Sequence, residues 1–282
     1  MTVVGVIGGG FGLYGYIPAI LQNKSYSVIT LEKYKYKIHE RKELSEAARL
    51  IHYGKDVSEI IRNSDLIILA RRPNDNLEIV KLIHDKKLII EKPISSTPHG
   101  ARIIYKITKS QGNQLYSGFV FKYLNWYKWL KFTKAESIII NWGIKKSNNN
   151  DSWKYSEAQG GGLLQFYGIH FLNLAVDLGY RLIDISLHDS DGKLDLHFQS
   201  GLKHLNLSIF YTNNPIFQIN DQKNNSIINQ MSPFGEVPKI GKPDVRVKSI
   251  IALVEDIRRG TCKQSLFNTI NLWESSLKEA KR

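Results

Sequence analysis

A short β-branched run, Val3 to Ile7, breaks into Gly8-Gly9-Gly10-Phe11-Gly12 and passes straight into a helical pattern carried by Ile17, Ile20 and Leu21. Strand, bare turn and helix in that order bring backbone amides and the positive end of a helix to one spot, an arrangement suited to receiving a pyrophosphate. Gly8 and Gly10 permit the turn and a close backbone approach. The pattern reads in two registers, Gly8-x-Gly10 or Gly10-x-Gly12-x-x-Gly15, and Phe11 and Gly12 are counted with the turn in either. Tyr26 to Leu31 reads as a second strand. Glu32 ends it 24 positions after Gly8, where a carboxylate would bond the ribose hydroxyls of NAD. Lys33 and Lys35 stand beside Glu32 and would instead neutralise the 2′-phosphate of NADP, so both cofactors stay open, with Glu32 favouring NAD.

The rest of the first half keeps the same rhythm. Leu44, Ala47, Ala48 and Ile51 repeat at helical spacing, and Asp56 is a candidate N-cap ahead of Val57, Ile60 and Ile61. Leu66 to Ala70 is an unbroken apolar stretch, expected as a strand buried on both faces. A helix through Leu77, Val80 and Ile83, a strand at Leu88 to Ile90, a helix entered at Thr97 and Pro98, and a strand near Leu115 to Phe119 follow. Strands alternating with helices predict a parallel sheet wound on both faces by right-handed crossovers. Arg71 and Arg72 follow the strand Leu66 to Ala70 at the carboxyl edge of that sheet, where surface charge is the expected role and contact with phosphate the alternative.

After residue 119 the pattern changes. A helix from Tyr123 to Thr133, a strand at Ile138 to Asn141, a polar stretch from Lys145 to Asp151 expected as a loop, and an apolar helix from Leu163 to Leu178 come first. Leu182 to Leu187, Leu194 to Phe198, Leu205 to Tyr211 and Ile216 to Ile219 then read as strands joined by turns such as Asp189 to Gly192, which predicts a mostly antiparallel sheet. Helices near Val245 to Arg259 and Leu266 to Ala280 close the chain. The expected class is α/β: a Rossmann dinucleotide-binding domain over residues 1–119 and an α/β substrate and oligomerisation domain with an open sheet over 120–282.

The net charge of +13 comes from scattered lysines and arginines, without a basic helix or nucleic-acid motif, so a solvated basic surface is expected and nucleic acid is not. Cys262 is the single cysteine, which excludes an intramolecular disulfide, and no metal-ligand spacing surrounds it. No leader pattern opens the chain and no apolar run approaches the roughly 18 residues of a membrane span, so a cytoplasmic protein without a membrane partner is expected.

Three separated motifs, the Gly8 turn, Glu91-Lys92-Pro93 after a strand, and Gly160-Gly161-Gly162-Leu163-Leu164 running on to Gly168-Ile169-His170, stand in one order. In these, and in Gly118-Phe119 and Trp153, the chain resembles the Gfo/Idh/MocA oxidoreductases over nearly its whole length. The resemblance implies an NAD(P)-dependent dehydrogenase or reductase acting on CH–OH groups of sugars, polyols or sugar nucleotides, assembled as a homodimer or homotetramer. It implies that Glu91 and Lys92 border the cofactor and that Lys92 relays the substrate's proton. A lysine desolvated beside a cofactor suits that step, because burial lowers its pKa towards neutrality. His170 matches the family's histidine and would act as acid or base on the reacting hydroxyl.

One position departs from the family. The acidic residue often found four places before the histidine is Phe166 here, and the one three places after it is Asn173. A phenyl ring neither takes a proton nor orients an imidazole. Gln165 and Tyr167 flank it and can bond substrate hydroxyls, although they point off that helical face, and Lys122 and Lys154 with Lys92 would form a basic wall for a carboxylate or phosphate on the substrate. Two other readings stand beside the dehydrogenase: a dinucleotide-binding sensor or partner protein without turnover, and an enzyme that oxidises transiently during elimination or epimerisation.

Overall fold

Unbroken apolar stretches require cover on both sides, and the computed structural model, which describes residues 1–41, 44, 48–146, 152–188, 192–221, 225–235 and 244–280, supplies it. Strands β1 (Thr2–Ile7), β2 (Tyr26–Leu31), β3 (Ile51–Gly54), β4 (Leu66–Leu69), β5 (Lys87–Ile90) and β6 (Gln114–Ser117) pair in parallel in the order β3-β2-β1-β4-β5-β6. Every residue of β2 and β4 is buried. Helices α1 (Ile17–Leu21), α2 (Lys35–His39), α3 (Val57–Arg62), α4 (Asn76–Val80) and α5 (Pro98–Ser110) connect them. The strand order reverses beside β1, and in a doubly wound sheet the crevice at the carboxyl ends of the strands on either side of that reversal is where ligands bind. Asp56 caps α3 as expected, its Oδ1 accepting from the Glu59 amide at 2.8 Å. Thr30, buried in β2, donates its hydroxyl to the Val6 carbonyl at 2.7 Å, which removes the cost of a polar group in the sheet interior.

Two expectations in this part are corrected. Ile51 opens β3 rather than continuing a helix, because its β-branched side chain pairs opposite Val28 and supplies β2 with a second neighbour; Ala47 lies outside the described residues. The helix through Leu77 and Val80 stops at Val80, and Ile83 closes it by donating its amide to the Val80 carbonyl at 3.1 Å.

A second sheet is built from β7 (Ser137–Lys145), β8 (Arg181–His188), β9 (Lys193–Ser200), β10 (Lys203–Thr212), β11 (Ile216–Asp221) and β12 (Ser226–Gln230), with α6 (Asn125–Phe132) ahead of it. Its order is β12-β11-β7-β10-β9-β8, parallel between β7 and β10 and antiparallel elsewhere. Leu194, Leu196 and Phe198 of β9 and Leu205, Leu207 and Ile209 of β10 are buried, while Asp195, His197, Asn206 and Ser208 take the other face, the alternation of a sheet covered on one side. The apolar segment expected as one helix from Leu163 to Leu178 divides: Leu163–Gly168 is wound as a π-helix and α7 (Ile169–Leu178) continues it. Residues 147–151 of the expected loop and 189–191 of the expected turn lie outside the described residues.

Helix α8 (Val247–Arg259) follows this sheet in sequence but packs on α1, in the unit that holds the first sheet. Val247, Ile250, Leu253, Val254 and Ile257 are buried along one face, each worth roughly 1.5–3 kcal/mol. Asn23 Nδ2 and Tyr26 Oη donate to Glu255 Oε1 at 2.8 and 2.6 Å, and Lys87 Nζ donates to the carbonyls of Ile257 and Arg258 at the helix's negative end. The chain therefore divides into one unit of Met1–Ser95, Gly100–Val120 and Pro238–Lys263 and another of Ser96–His99, Phe121–Val237 and Gln264–Arg282, where a single cut after residue 119 had been expected. In the second unit α9 (Leu266–Glu279) packs on α7, and Asn173 Nδ2 donates to Thr269 Oγ1 at 3.2 Å. No helix among the described residues is long and apolar enough to cross a membrane.

Candidate active site

The glycine turn leans on the end of β4. A Cβ at Gly8 would stand 2.1 Å from the Ala70 carbonyl oxygen, so only glycine allows that approach. Gly10 has open space where a side chain would be, and its carbonyl takes the amides of Leu13 and Tyr14 at 2.9 and 3.4 Å. The amides of Gly10, Phe11 and Gly12 thus precede the first helical hydrogen bond, and Gly12–Tyr16 winds as a π-helix before α1. Phe11 meets the rings of Tyr14 and Tyr16 edge-on at 5.3 and 5.4 Å. Glu32 is exposed and opens a short 3-10 turn at the end of β2; Tyr34 in that turn lies against Gly9. Arg71, at the end of β4, is paired with Asp75 at 3.4 Å, and its charge acts on the Tyr34 hydroxyl, whose pKa burial raises and Arg71 lowers. The uncovered backbone at Gly10, the forced glycine at Gly8 and the Glu32 carboxylate fit a pyridine dinucleotide.

On β5 of the same sheet, Glu91 and Lys92 follow the last strand residue. Glu91 Oε1 accepts from Tyr16 Oη at 2.7 Å and Oε2 from the Lys92 amide at 3.2 Å. A Cβ at Gly118 would lie 2.3 Å from that Oε1, so the bare Gly118-Phe119 junction makes room for the carboxylate. Burial pushes the Glu91 carboxyl up, opposed by the Lys92 charge, the Tyr16 bond and Arg246. Burial also raises Tyr16 well above its ordinary value, and the Glu91 charge adds to that.

In the second unit, Trp153–Tyr155 and Glu157–Gln159 form two short 3-10 turns ahead of the triple glycine. Gly162 sits at φ +84, a left-handed conformation, and admits the π-helical turn after it. His170 is 4% exposed and stacks on Phe121 with ring centres 4.4 Å apart and planes 12° from parallel. Phe121 precedes Lys122, whose ammonium lies 4.9 Å from the Tyr123 ring centre. Phe166 meets Trp153 and Tyr167 edge-on at 5.4 and 4.8 Å, and the Lys154 ammonium lies 5.8 Å from its ring centre. Gln165 is buried, with Nε2 donating to the Glu157 carbonyl at 3.1 Å. Tyr167 also meets Trp142, and burial, with Tyr211 and Tyr155 nearby, raises its hydroxyl. Burial with the same Tyr155 and Glu157 pushes Tyr211 up to about 12. Among the described residues no group of three or more His, Cys, Asp or Glu is placed to hold a metal ion.

Residues 2–119 match the profile of the Gfo/Idh/MocA family, described as an oxidoreductase family with an NAD-binding Rossmann fold. The fold of a Gfo/Idh/MocA family oxidoreductase from Vibrio cholerae agrees over 100% of this chain and 97% of its own, with TM-score 0.68 and 14% identity. The WlbA (WbpB) dehydrogenase of Thermus thermophilus, solved with NAD and UDP-GlcNAcA, agrees over 99% and 95%, with TM-score 0.68 and 14% identity. Biliverdin reductase of Synechocystis, solved with biliverdin and NADP+, agrees over 98% and 97%, with TM-score 0.66 and 12% identity. At such identities the likeness is one of fold. No curated protein matches the chain by sequence.

Within the first unit the structure gathers Gly8, Gly10, Phe11, Gly12, Glu32, Arg71, Glu91 and Lys92 around the turn after β1 or at the carboxyl ends of β2, β4 and β5. In the other unit it gathers Lys154, Gln165, Tyr167 and His170 along the triple-glycine segment, with Lys122 beside the Phe121 that His170 stacks on. Sequence reasoning passed over Tyr16, Tyr34, Phe121 and Arg246. Tyr16 falls one helical turn after Gly12 and carried a weak signal, whereas Arg246 carried none, since nothing local ties it to residues more than two hundred positions earlier.

Proposed function

We propose that the chain is an NAD(P)-dependent dehydrogenase or reductase acting on a CH–OH group of a small, negatively charged sugar or sugar nucleotide. The single observation that carries this is the turn at Gly8, bare at Gly10 and forced against Ala70, at the carboxyl edge of a sheet that also ends in Lys92. In this reading the amides from Gly10 to Gly12 hold the diphosphate, Glu32 bonds the adenosine ribose and favours NAD, and Arg71 adds charge near phosphate. When bound, the dinucleotide supplies the hydride acceptor or donor. Lys92 Nζ takes the substrate's hydroxyl proton in oxidation and returns it in reduction, and His170 serves as the second acid–base group. Glu91 fixes the Lys92 backbone by accepting its amide. Gln165 and Tyr167 bond substrate hydroxyls, and Lys122 and Lys154 attract its anionic group. The assembly is a homodimer or homotetramer working in the cytoplasm.

Presenting the purified chain with NAD or NADP and a panel of sugars and sugar nucleotides, while following the absorbance of reduced nicotinamide, tests the reading. Net reduction is expected; no affinity for either dinucleotide would sink it. Lys122→Ala and Lys154→Ala each raise KM for an anionic substrate by roughly fivefold, the worth of one exposed charge pair, and leave a neutral analogue unchanged. Equal losses on both substrates rule out the basic wall.

Phe166 favours one second reading. The family's acidic position is filled by a ring enclosed between Trp153 and Tyr167, and a protein that binds dinucleotide without turnover would need no carboxylate there. Tight NADH binding with no conversion of any substrate in the panel would select it.

A further inference from the structure

Arg246 lies just ahead of α8, on a segment joined to the first sheet from far along the chain. Its Nε and Nη2 donate to the two carboxylate oxygens of Asp244, each at 2.7 Å, and its own amide donates to Asp244 Oδ1 at 2.9 Å. A planar fork held by two parallel bonds has one orientation available to it. In that orientation the guanidinium carbon lies 4.0 Å from the Phe11 ring centre and 5.9 Å from that of Tyr14. Burial would lower the Arg246 pKa, but the Asp244 bonds hold it above its ordinary value, so the group on the ring is a cation.

We propose that Asp244 and Arg246 form a clamp on the glycine turn, and that through Phe11 they are positioning residues for the dinucleotide. The inference rests on the dinucleotide reading given above. Glycines stand on both sides of Phe11, so the turn has almost no side chains of its own by which to be held. The ring of Phe11 is the handle, with Arg246 on its face and the edges of Tyr14 and Tyr16 against it. Tyr16 in turn is bonded to Glu91, which links the clamp to the segment carrying Lys92. Fixing the ring fixes the amides of Gly10, Phe11 and Gly12 in the geometry that an anion requires, so less order has to be imposed when the diphosphate arrives.

Titration of the full-length chain with NADH, ADP and adenosine, alongside thermal unfolding, tests this. Arg246→Met weakens NADH and ADP by about tenfold, the scale of a desolvated cation on a ring, and leaves adenosine within twofold. Adenosine has no phosphate to meet the turn, so a merely structural loss would weaken all three alike. Phe11→Leu removes the ring and keeps the ion pair; it reproduces the same selective loss and serves where Arg246→Met fails to fold. Unchanged NADH affinity in either folded variant, or an equal loss on adenosine, overturns the clamp. Wild-type protein that binds neither NADH nor NADPH overturns both the clamp and the functional reading, whereas wild type that binds with variants that bind equally well overturns the clamp alone.

Discussion

Lys92→Met lowers kcat for the oxidised alcohol by about 10²- to 10⁴-fold, the range expected when a positioned acid–base group is removed. Methionine keeps the unbranched length of the lysine stem, so the loss reports the amine and not a void. The Lys92 backbone stays in place in the variant, because its amide is held by Glu91 Oε2 at 3.2 Å and Glu91 is held by Tyr16. In the proposed reading dinucleotide affinity changes by less than about fivefold, because the turn amides and not the ammonium hold the diphosphate. Single-turnover rates together with NADH titration separate the two effects. A kcat within threefold of wild type would remove Lys92 from the chemistry and leave the dinucleotide site untouched.

Gly8→Ala and Gly10→Ala separate folding from binding within three residues. A methyl at Gly8 meets the Ala70 carbonyl oxygen at 2.1 Å, and backbone on both sides of that contact cannot rotate out of the way as a flexible side chain would. Overpacking of that kind costs about 1–3 kcal/mol or more, so the midpoint of thermal unfolding falls and dinucleotide binding falls with it. A methyl at Gly10 meets nothing within 4 Å. The unfolding midpoint stays near wild type, while affinity drops by roughly tenfold or more because, in the proposed reading, the methyl would stand where the diphosphate approaches. Calorimetric unfolding and NADH titration of both variants check the pair; a Gly10→Ala protein with wild-type affinity would show that the diphosphate does not approach there.

Five of the six parallel strands were legible as short runs alternating with helical patterns; β3 was not. Where a segment has two readings of similar quality, the sequence alone does not choose. Ile51 continues the spacing of Leu44 and Ala48, yet β2 needs a neighbour on its outer side, and that demand comes from the sheet. The π-helical winding of Leu163–Gly168 is invisible to a pattern of apolar spacing, because a six-residue segment is too short for its period to separate one winding from the other. Glu91, Lys92 and His170 stood out through motif order. Their supports did not: Tyr16 under Glu91, Phe121 against His170 and Arg246 over Phe11 are contacts between residues that no local rule connects. Phe166 was legible as a departure, and the structure adds what fills the space, an edge-on group of Trp153 and Tyr167 with the Lys154 ammonium beside it.

The return of α8 to the first sheet bears on how the chain matures during synthesis. By the time residue 120 leaves the ribosome, all six parallel strands have been made, but α8, which packs on α1 and buries Ile250, Leu253 and Val254, is still more than a hundred codons away. At ordinary elongation rates that interval is on the order of ten seconds. During it the nascent half lacks the helix that covers α1, and the Arg246 contact on Phe11 forms only once the segment carrying α8 has emerged.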